Sequence, residues 1–457
     1  MSRLLVSRCE AVACLDDAGT ELRGGSILIE DGVIRWVGAG DPPPEIADGA
    51  ERLDGQGCVA LPGLVNTHHH LYQVLTRARA QEHGLFGWLT ELYPVWAGLD
   101  AAWVRAATGA GLAELALSGC STSTDHHYVF PAGTGDLMEA EIDVARQLGV
   151  RFHPCRGSMD LGASAGGLPP DRVVQDTDEV LAETEATVRR FHDPAPGAMV
   201  RIAIAPCSPF SASERLMVES ARLARRLSVR LHTHIAETAD EEAFCLERFG
   251  CRPVELLDRL EFLGDDVWLA HAVHLSDRDI AALAAAGAAV AHCPSSNLRL
   301  GSGTARVREL VDAGVPVGLG VDGSASNDGG HLLGEVRQAL LTARGRGGPG
   351  AMTARRALWL GTRGGAACLG RDDIGSLEPG KRGDVALFDV RGLASAGIEA
   401  DPVAGVVLAW PGRVRHLLVD GAFVVRDGSL VGADEASLAA EAHGIARRIG
   451  GSSHGGR

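Results

Sequence analysis

Val200-Arg-Ile-Ala-Ile-Ala205, a fifteen-residue run from Ser213 to Leu227, and Arg230-Leu-His-Thr233 follow one another through the middle of the chain. The outer two are short, largely apolar segments of strand length. The run between them is amphipathic and of helical length. The same alternation extends in both directions. Strand-like runs stand at 58–61, 120–124, 151–155, 200–205, 230–233, 267–270, 289–292 and 317–321. Helix-like runs such as 102–118, 213–227, 277–286 and 305–313 separate them. Eight strand–helix units in about 300 residues predict an α/β chain built on a (β/α)8 TIM barrel. An open doubly wound sheet would be marked by GxGxxG opening a helix after its first strand, and no such motif is present.

The two ends differ from the middle. Ser26-Ile-Leu-Ile-Glu30, Asp31-Gly32 and Val33-Ile-Arg-Trp-Val-Gly38 read as a hairpin. Asp384-Val-Ala-Leu-Phe-Asp389 and the run 415–426, turning at Gly421, read as strands near the other end. Both termini are therefore β-rich.

Composition narrows the function. The 457 residues carry a formal charge of −16, which disfavours a nucleic-acid surface and suits a small-molecule ligand. No apolar run reaches membrane-spanning length, and the opening residues lack the long apolar core of a signal peptide. A cytoplasmic homo-oligomer with neither membrane nor nucleic-acid partner is expected. Ten cysteines stand singly, without CxxC, and read as buried small apolar residues in a reducing compartment. Lys381 is the single lysine.

Barrel enzymes place their chemistry where strands end. The first strand is followed by Asn66-Thr-His68-His69-His70, the second by Asp125-His126-His127, and the third by Arg156. Pro206-Cys207 follow the fourth. The fifth ends in His232-Thr-His234, with Glu237 three residues on. His271 follows the sixth, His292 and Asn297 the seventh, and Asp322 the eighth. Residues two apart on a strand share a face, so His68 and His70 point together and His69 away. With His234 and Asp322 they make a His3Asp set that suits a catalytic zinc with an open position. Iron(II) or manganese would accept the same ligands. A lone histidine is ordinarily a satisfied structural residue, and His83, His192, His443 and His454 are read so. His153 and His232 are expected to face the barrel below the site.

Leu61-Pro-Gly-Leu-Val-Asn-Thr-His68-His-His70 resembles the PGxxxxHxH motif of the amidohydrolase superfamily. Gly375-Ser-Leu-Glu-Pro-Gly-Lys-Arg-Gly-Asp-Val-Ala386 resembles that family's return from barrel to sandwich. The resemblance covers essentially the whole chain. It implies that the termini join into a small β-sandwich domain (1–60 plus 377–457) beside a barrel at 61–376. Two-metal members bridge their ions with a carboxylated barrel lysine, which this chain lacks. HxHxxE, Ala270-His271-Ala272 and Asp322 resemble instead the one-metal deaminase branch. Within it, the strings 69–77, Leu92-Tyr-Pro-Val-Trp96, Asp125-His-His-Tyr-Val-Phe-Pro131 and 320–328 are most similar to 8-oxoguanine deaminases, with triazine hydrolases sharing much of them. Nucleoside deaminases fit less well, because Ala97 and Cys207 stand where their glutamate and fourth-strand histidine are expected.

The implied reaction replaces an amino group on a nitrogen heterocycle by oxygen, using water activated by one metal ion. 8-Oxoguanine, giving urate, is the expected substrate and isocytosine a smaller one. Aminotriazines or hydroxyatrazine, and guanine, are the alternatives; a non-catalytic scaffold would not keep the whole ligand set. Asp322 would ligate the metal and accept the water's proton, Glu237 would carry a proton to the ring, and His271 would hydrogen-bond the forming oxyanion. Gln73, Arg156, Cys207, Trp88, Tyr93 and Trp96 are candidate base contacts, although the three aromatics at helical spacing would serve equally as core. For His126 and His127, substrate contact and positioning of the first-strand loop both remain open. Asn297 and Asn327 are read as loop braces.

Overall fold

A computed structural model describes residues 2–409 and 412–452; His454 and the Gly/Ser-rich tail around it lie outside the described residues. Eight parallel strands close a barrel in chain order. They are Leu64–Asn66, Cys120–His127, Arg151–Ser158, Ala203–Pro206, Leu231–Ile235, Val267–His271, Ala289–His292 and Val317–Leu319. Leu319 pairs with Asn66 across the seam, so the eighth strand abuts the first.

The run 58–61, read from sequence as the first barrel strand, belongs elsewhere. Cys58–Pro62 lies in the second sheet and pairs antiparallel with Val385–Asp389. The barrel begins two residues later, at Leu64. Both segments are wholly buried, so their apolar pattern could not separate them. Gly63 marks the change of sheet. A Cβ there would lie 2.3 Å from the Ser121 hydroxyl, so only glycine lets the chain cross so close to the second strand.

Strands from both termini join in one mixed nine-stranded sheet. Its predicted hairpin is present: Glu30 pairs with Val33, and Asp31 and Gly32 both take positive φ (47° and 76°), as a two-residue type I′ turn demands. The sheet has its own apolar core, including Val6, Val12, Ile27, Ile29, Ala60 and Leu387. Arg151 ties it to the barrel, reaching Asp384 and Asp420 at 3.1 and 2.7 Å.

The helices pack outside the barrel. Glu214–Leu227, between the fourth and fifth strands, is capped by Ser213, whose hydroxyl accepts from the Leu216 N–H. Inside, small side chains (Ala203, Ala205, Ala289, Ala291) surround Trp268 and close the lower barrel. No described helix is long and apolar enough to cross a membrane. All ten cysteines are buried and unbridged.

Candidate metal centre and active site

The side chains that strand periodicity set on one face converge at the top of the barrel. His70 Nε2 lies 3.1 Å from His234 Nε2. Asp322 Oδ1 lies 3.4 Å from Nε2 of both His68 and His70. All four residues are buried.

The opposite ring nitrogens fix the tautomers. His70 Nδ1–H donates to the His126 carbonyl at 2.8 Å, and His234 Nδ1–H to the Cys207 carbonyl at 2.6 Å. His232 Nδ1–H donates to the Trp268 carbonyl at 2.7 Å, leaving its Nε2 to accept the His68 Nδ1–H at 2.9 Å. Each of the three rings therefore turns a bare Nε2 lone pair inward. Two such nitrogens 3.1 Å apart beside a carboxylate repel each other unless a cation lies among them. His68 Nε2, moreover, is buried without a hydrogen-bond partner. The donor set fits a divalent ion of the kind held by imidazole and carboxylate.

Electrostatics agree. Burial, with further lowering by neighbouring imidazoles, keeps His70 and His234 neutral, down to about 4, and His68 well below its ordinary range. Burial pushes Asp322 up, but the adjoining His68 and the other nearby histidines hold it well below the usual carboxylate range. The Gly323 N–H donates to its Oδ1 at 2.7 Å, and the Ser296 and Ser326 hydroxyls to its Oδ2 at 2.5 and 3.1 Å. Glu237 behaves oppositely. Burial and then the Asp322 charge raise it well above its ordinary value, favouring the protonated form. Its Oε2 lies 3.5 Å from His271 Nε2. The Ala236 and Glu237 N–H groups both donate to Glu241 at 2.8 Å, fixing the turn that aims it.

His271, Ala272 and Asp322 adopt positive φ (74°, 50° and 62°). Such non-glycine conformations cost of order 1–3 kcal/mol each. Here they are held by bonds across neighbouring strand ends: Ala272 N–H to the Ile235 carbonyl and Asp322 N–H to the His68 carbonyl.

A narrow cavity of about 30 Å3 opens beside the cluster. His70, His234, Glu237, His271 and Asp322 form its polar end, and Leu85, Trp88, Leu89, Phe210 and Leu300 its apolar wall. Gln73, Tyr93, Tyr128 and Cys207 also line it. The Gln73 amide nitrogen lies 3.5 Å from both the Tyr72 and Tyr128 hydroxyls, and its Oε1 is buried without a partner. Trp88 Nε1–H is spent on the Ala325 carbonyl, leaving its ring as wall.

Two predicted base contacts lie elsewhere. On the third strand Cys155 points into the barrel core, so Arg156 points out. It stacks on Phe130 at 3.6 Å and pairs with Glu183 at 2.6 Å, lining a separate surface pocket. Trp96 sits behind the wall among Tyr72, Trp88 and Tyr93, its Nε1–H donating to Thr76. The same parity divides 125–127. His126 faces inward and stacks on His234 (4.8 Å, 18°), while His127 faces outward to Glu141 at 2.6 Å. His232 lies below the cluster, stacked on Trp268 at 4.4 Å. Sequence reasoning missed the task of His232, the serines on Asp322 and the anchoring by Glu241. The HxH spacing at 232–234 alone pointed to the first of these.

Residues 59–424 match the amidohydrolase family. The chain belongs to the amidohydrolase family. This amidohydrolase is 48% identical to the 8-oxoguanine deaminase of Pseudomonas aeruginosa, over 91% of this chain and 93% of that one. It is 39% identical to the hydroxydechloroatrazine ethylaminohydrolase of a Pseudomonas species, over 95% and 93%. The zinc-complexed crystal structure of atrazine chlorohydrolase from Arthrobacter aurescens superposes with a TM-score of 0.91 at 36% identity, covering 97% of this chain and all of that one (100%). The buried His/Asp cluster is this amidohydrolase's metal site.

Proposed function

We propose that the protein hydrolyses 8-oxoguanine to urate and ammonia, with His68, His70, His234 and Asp322 holding one zinc ion. The observation that carries the reading is the pairing of that ligand set with buried Glu237 and His271, 3.5 Å apart, at the polar end of a largely apolar cavity. The 48% identity to an 8-oxoguanine deaminase points to the substrate. Gln73 Oε1 offers an acceptor to a ring N–H.

The ion would supply a water acidified from about 15.7 towards ~7. Asp322 would take one proton from the attacking water as its oxygen adds to C2, while Glu237 would give its proton to the adjacent ring nitrogen. Asp322 then passes its proton to the exocyclic amine, which leaves as ammonia. Glu237 recovers a proton from the new C2 hydroxyl, leaving C2=O, and both carboxyl groups return to their starting states. Burial favours the protonated form of Glu237, which suits it to act first as an acid.

An aminotriazine is the second reading, favoured by the 39% identity to the hydroxydechloroatrazine enzyme. The test is release of ammonia (of ethylamine for hydroxyatrazine) and ultraviolet change with 8-oxoguanine, isocytosine, guanine and hydroxyatrazine in parallel, using zinc-loaded protein. Fast turnover of the first two supports the proposal. Preference for hydroxyatrazine, or for guanine, overturns the substrate.

A further inference from the structure

Four histidines surround the site, and one is wired the other way round. His68, His70 and His234 each give their Nδ1–H to an acceptor and turn a bare Nε2 inward. His271 faces a donor instead. Its Nδ1 lies 2.9 Å from Nδ2 of Asn297, which is fully buried on the short helix Pro294–Arg299. A carboxamide nitrogen can only donate, so His271 Nδ1 must accept, and a neutral ring must then carry its proton on Nε2. As it stands the amide leaves one N–H and its carbonyl oxygen without partners; reversing it would leave both N–H donors so, and an orphaned buried N–H is the rarer kind. Asn297 is itself held from both sides, by its N–H to the Cys293 carbonyl and by the Ser302 N–H to its own carbonyl.

We infer that Asn297 is a positioning residue that fixes His271 as the Nε2–H tautomer, making it a hydrogen-bond donor to the attacking oxygen and excluding it from the metal ligand set. His271 Nε2 points between Glu237 Oε2 at 3.5 Å and Asp322 Oδ2 at 3.9 Å. That is the region where oxygen adds and negative charge develops. A ring with a bare Nε2 there would compete as a fourth imidazole ligand; a ring with Nε2–H stabilises the oxyanion instead. One amide thus divides four similar rings into three ligands and one donor. The catalytic consequence rests on the deaminase reading, whereas the tautomer does not.

The test is nitrogen-15 NMR of histidine-labelled, zinc-loaded protein, with His271 assigned by its loss in His271→Gln. The expected wild-type pattern is protonated Nε2 and unprotonated Nδ1. In Asn297→Asp the new carboxylate accepts from Nδ1–H, so the pattern should invert. kcat should then fall about 10²-fold or more, as when an oxyanion donor is lost, with KM changed little. A wild-type ring protonated at Nδ1 overturns the inference without need of any variant. So does a folded Asn297→Asp protein that inverts the tautomer yet keeps wild-type kcat. If no heterocycle is turned over while the wild-type ring shows Nε2–H, the deaminase reading fails and the tautomer assignment stands.

Discussion

His68 hands its Nδ1 proton to Nε2 of His232, a ring that never reaches the cavity. His232 in turn is anchored by the Trp268 carbonyl below it and stacked on that indole. A column of aromatic rings thus stands under the metal centre and orients one of its ligands from beneath. Replacing His232 by Phe would keep the stacking and remove the acceptor. Zinc affinity, measured by chelator competition, should fall about 10–100-fold, as for other lost partners of ligating histidines. Unchanged affinity would show that packing alone orients His68.

Glu237→Gln keeps shape and polarity but removes the transferable proton. kcat should drop by about 10²–10⁴-fold, while substrate binding, followed by quenching of the Trp88 fluorescence, persists. A variant that turns over normally would move the proton-transfer role to another group.

Arg156 should be dispensable for chemistry. Its guanidinium lies over Phe130 beside Glu183, outside the cavity. Arg156→Ala is expected to leave kcat/KM on 8-oxoguanine within about 3-fold, which is less than 1 kcal/mol of transition-state stabilisation. A large rise in KM would mean that the guanidinium does reach the base.

Gly323 leaves room for Gln73. A Cβ at 323 would lie 1.9 Å from Gln73 Oε1, so Gly323→Ala must push the amide off its place between the two tyrosine hydroxyls. Loss of one hydrogen bond to the base should raise KM by about 10-fold. A smaller change would remove Gln73 from the list of base contacts.

Acid should unfold the metal-free protein. Burial lowers His127 to about 4 and His292 to about 3, below the ordinary 6.5. Between those values and 6.5 the unfolded chain binds protons that the folded chain refuses. The stability these rings contribute is complete above 6.5 and is lost as pH falls towards 3–4. Burial raises Glu241 and Glu335 to about 7, and here the sign reverses. The folded chain binds the extra protons between 4.5 and 7, so their contribution fades as pH rises through that window. The two effects oppose each other from 4.5 to 6.5, and below 4.5 only the histidine effect remains. Urea midpoints measured across pH should therefore fall most steeply below about 4.5. A midpoint that stayed flat down to pH 3 would contradict the burial of these rings.

Period-two alternation and the order of strand ends were enough to read the barrel and to gather His68, His70, His234 and Asp322, because covalent geometry sets both. The same parity applied to Arg156 would have sent it outward, since Cys155 beside it faces in. What parity cannot supply is the partner of a ring's second nitrogen. His232 beneath His68 and Asn297 behind His271 come from other strands and loops, brought close only by closure of the barrel. The segment 58–61 misled for a related reason. A buried strand looks alike in either sheet, and only the Pro62-Gly63 turn, seen against Ser121, shows where one sheet gives way to the other.

That turn also ties the site to the order of synthesis. The strand that leads into the first metal ligands, Cys58–Pro62, finds one neighbour in Val385–Asp389, and the barrel strand after it closes on Leu319. A nascent chain holding only its first three hundred residues has His68, His70 and His234 and the second barrel strand beside them, but lacks Asp322, the eighth strand and the return strand Val385–Asp389. The complete ligand set exists only once the ribosome has delivered the eighth strand and Asp322 after it. Premature loading of a half-made polypeptide is disfavoured by topology alone.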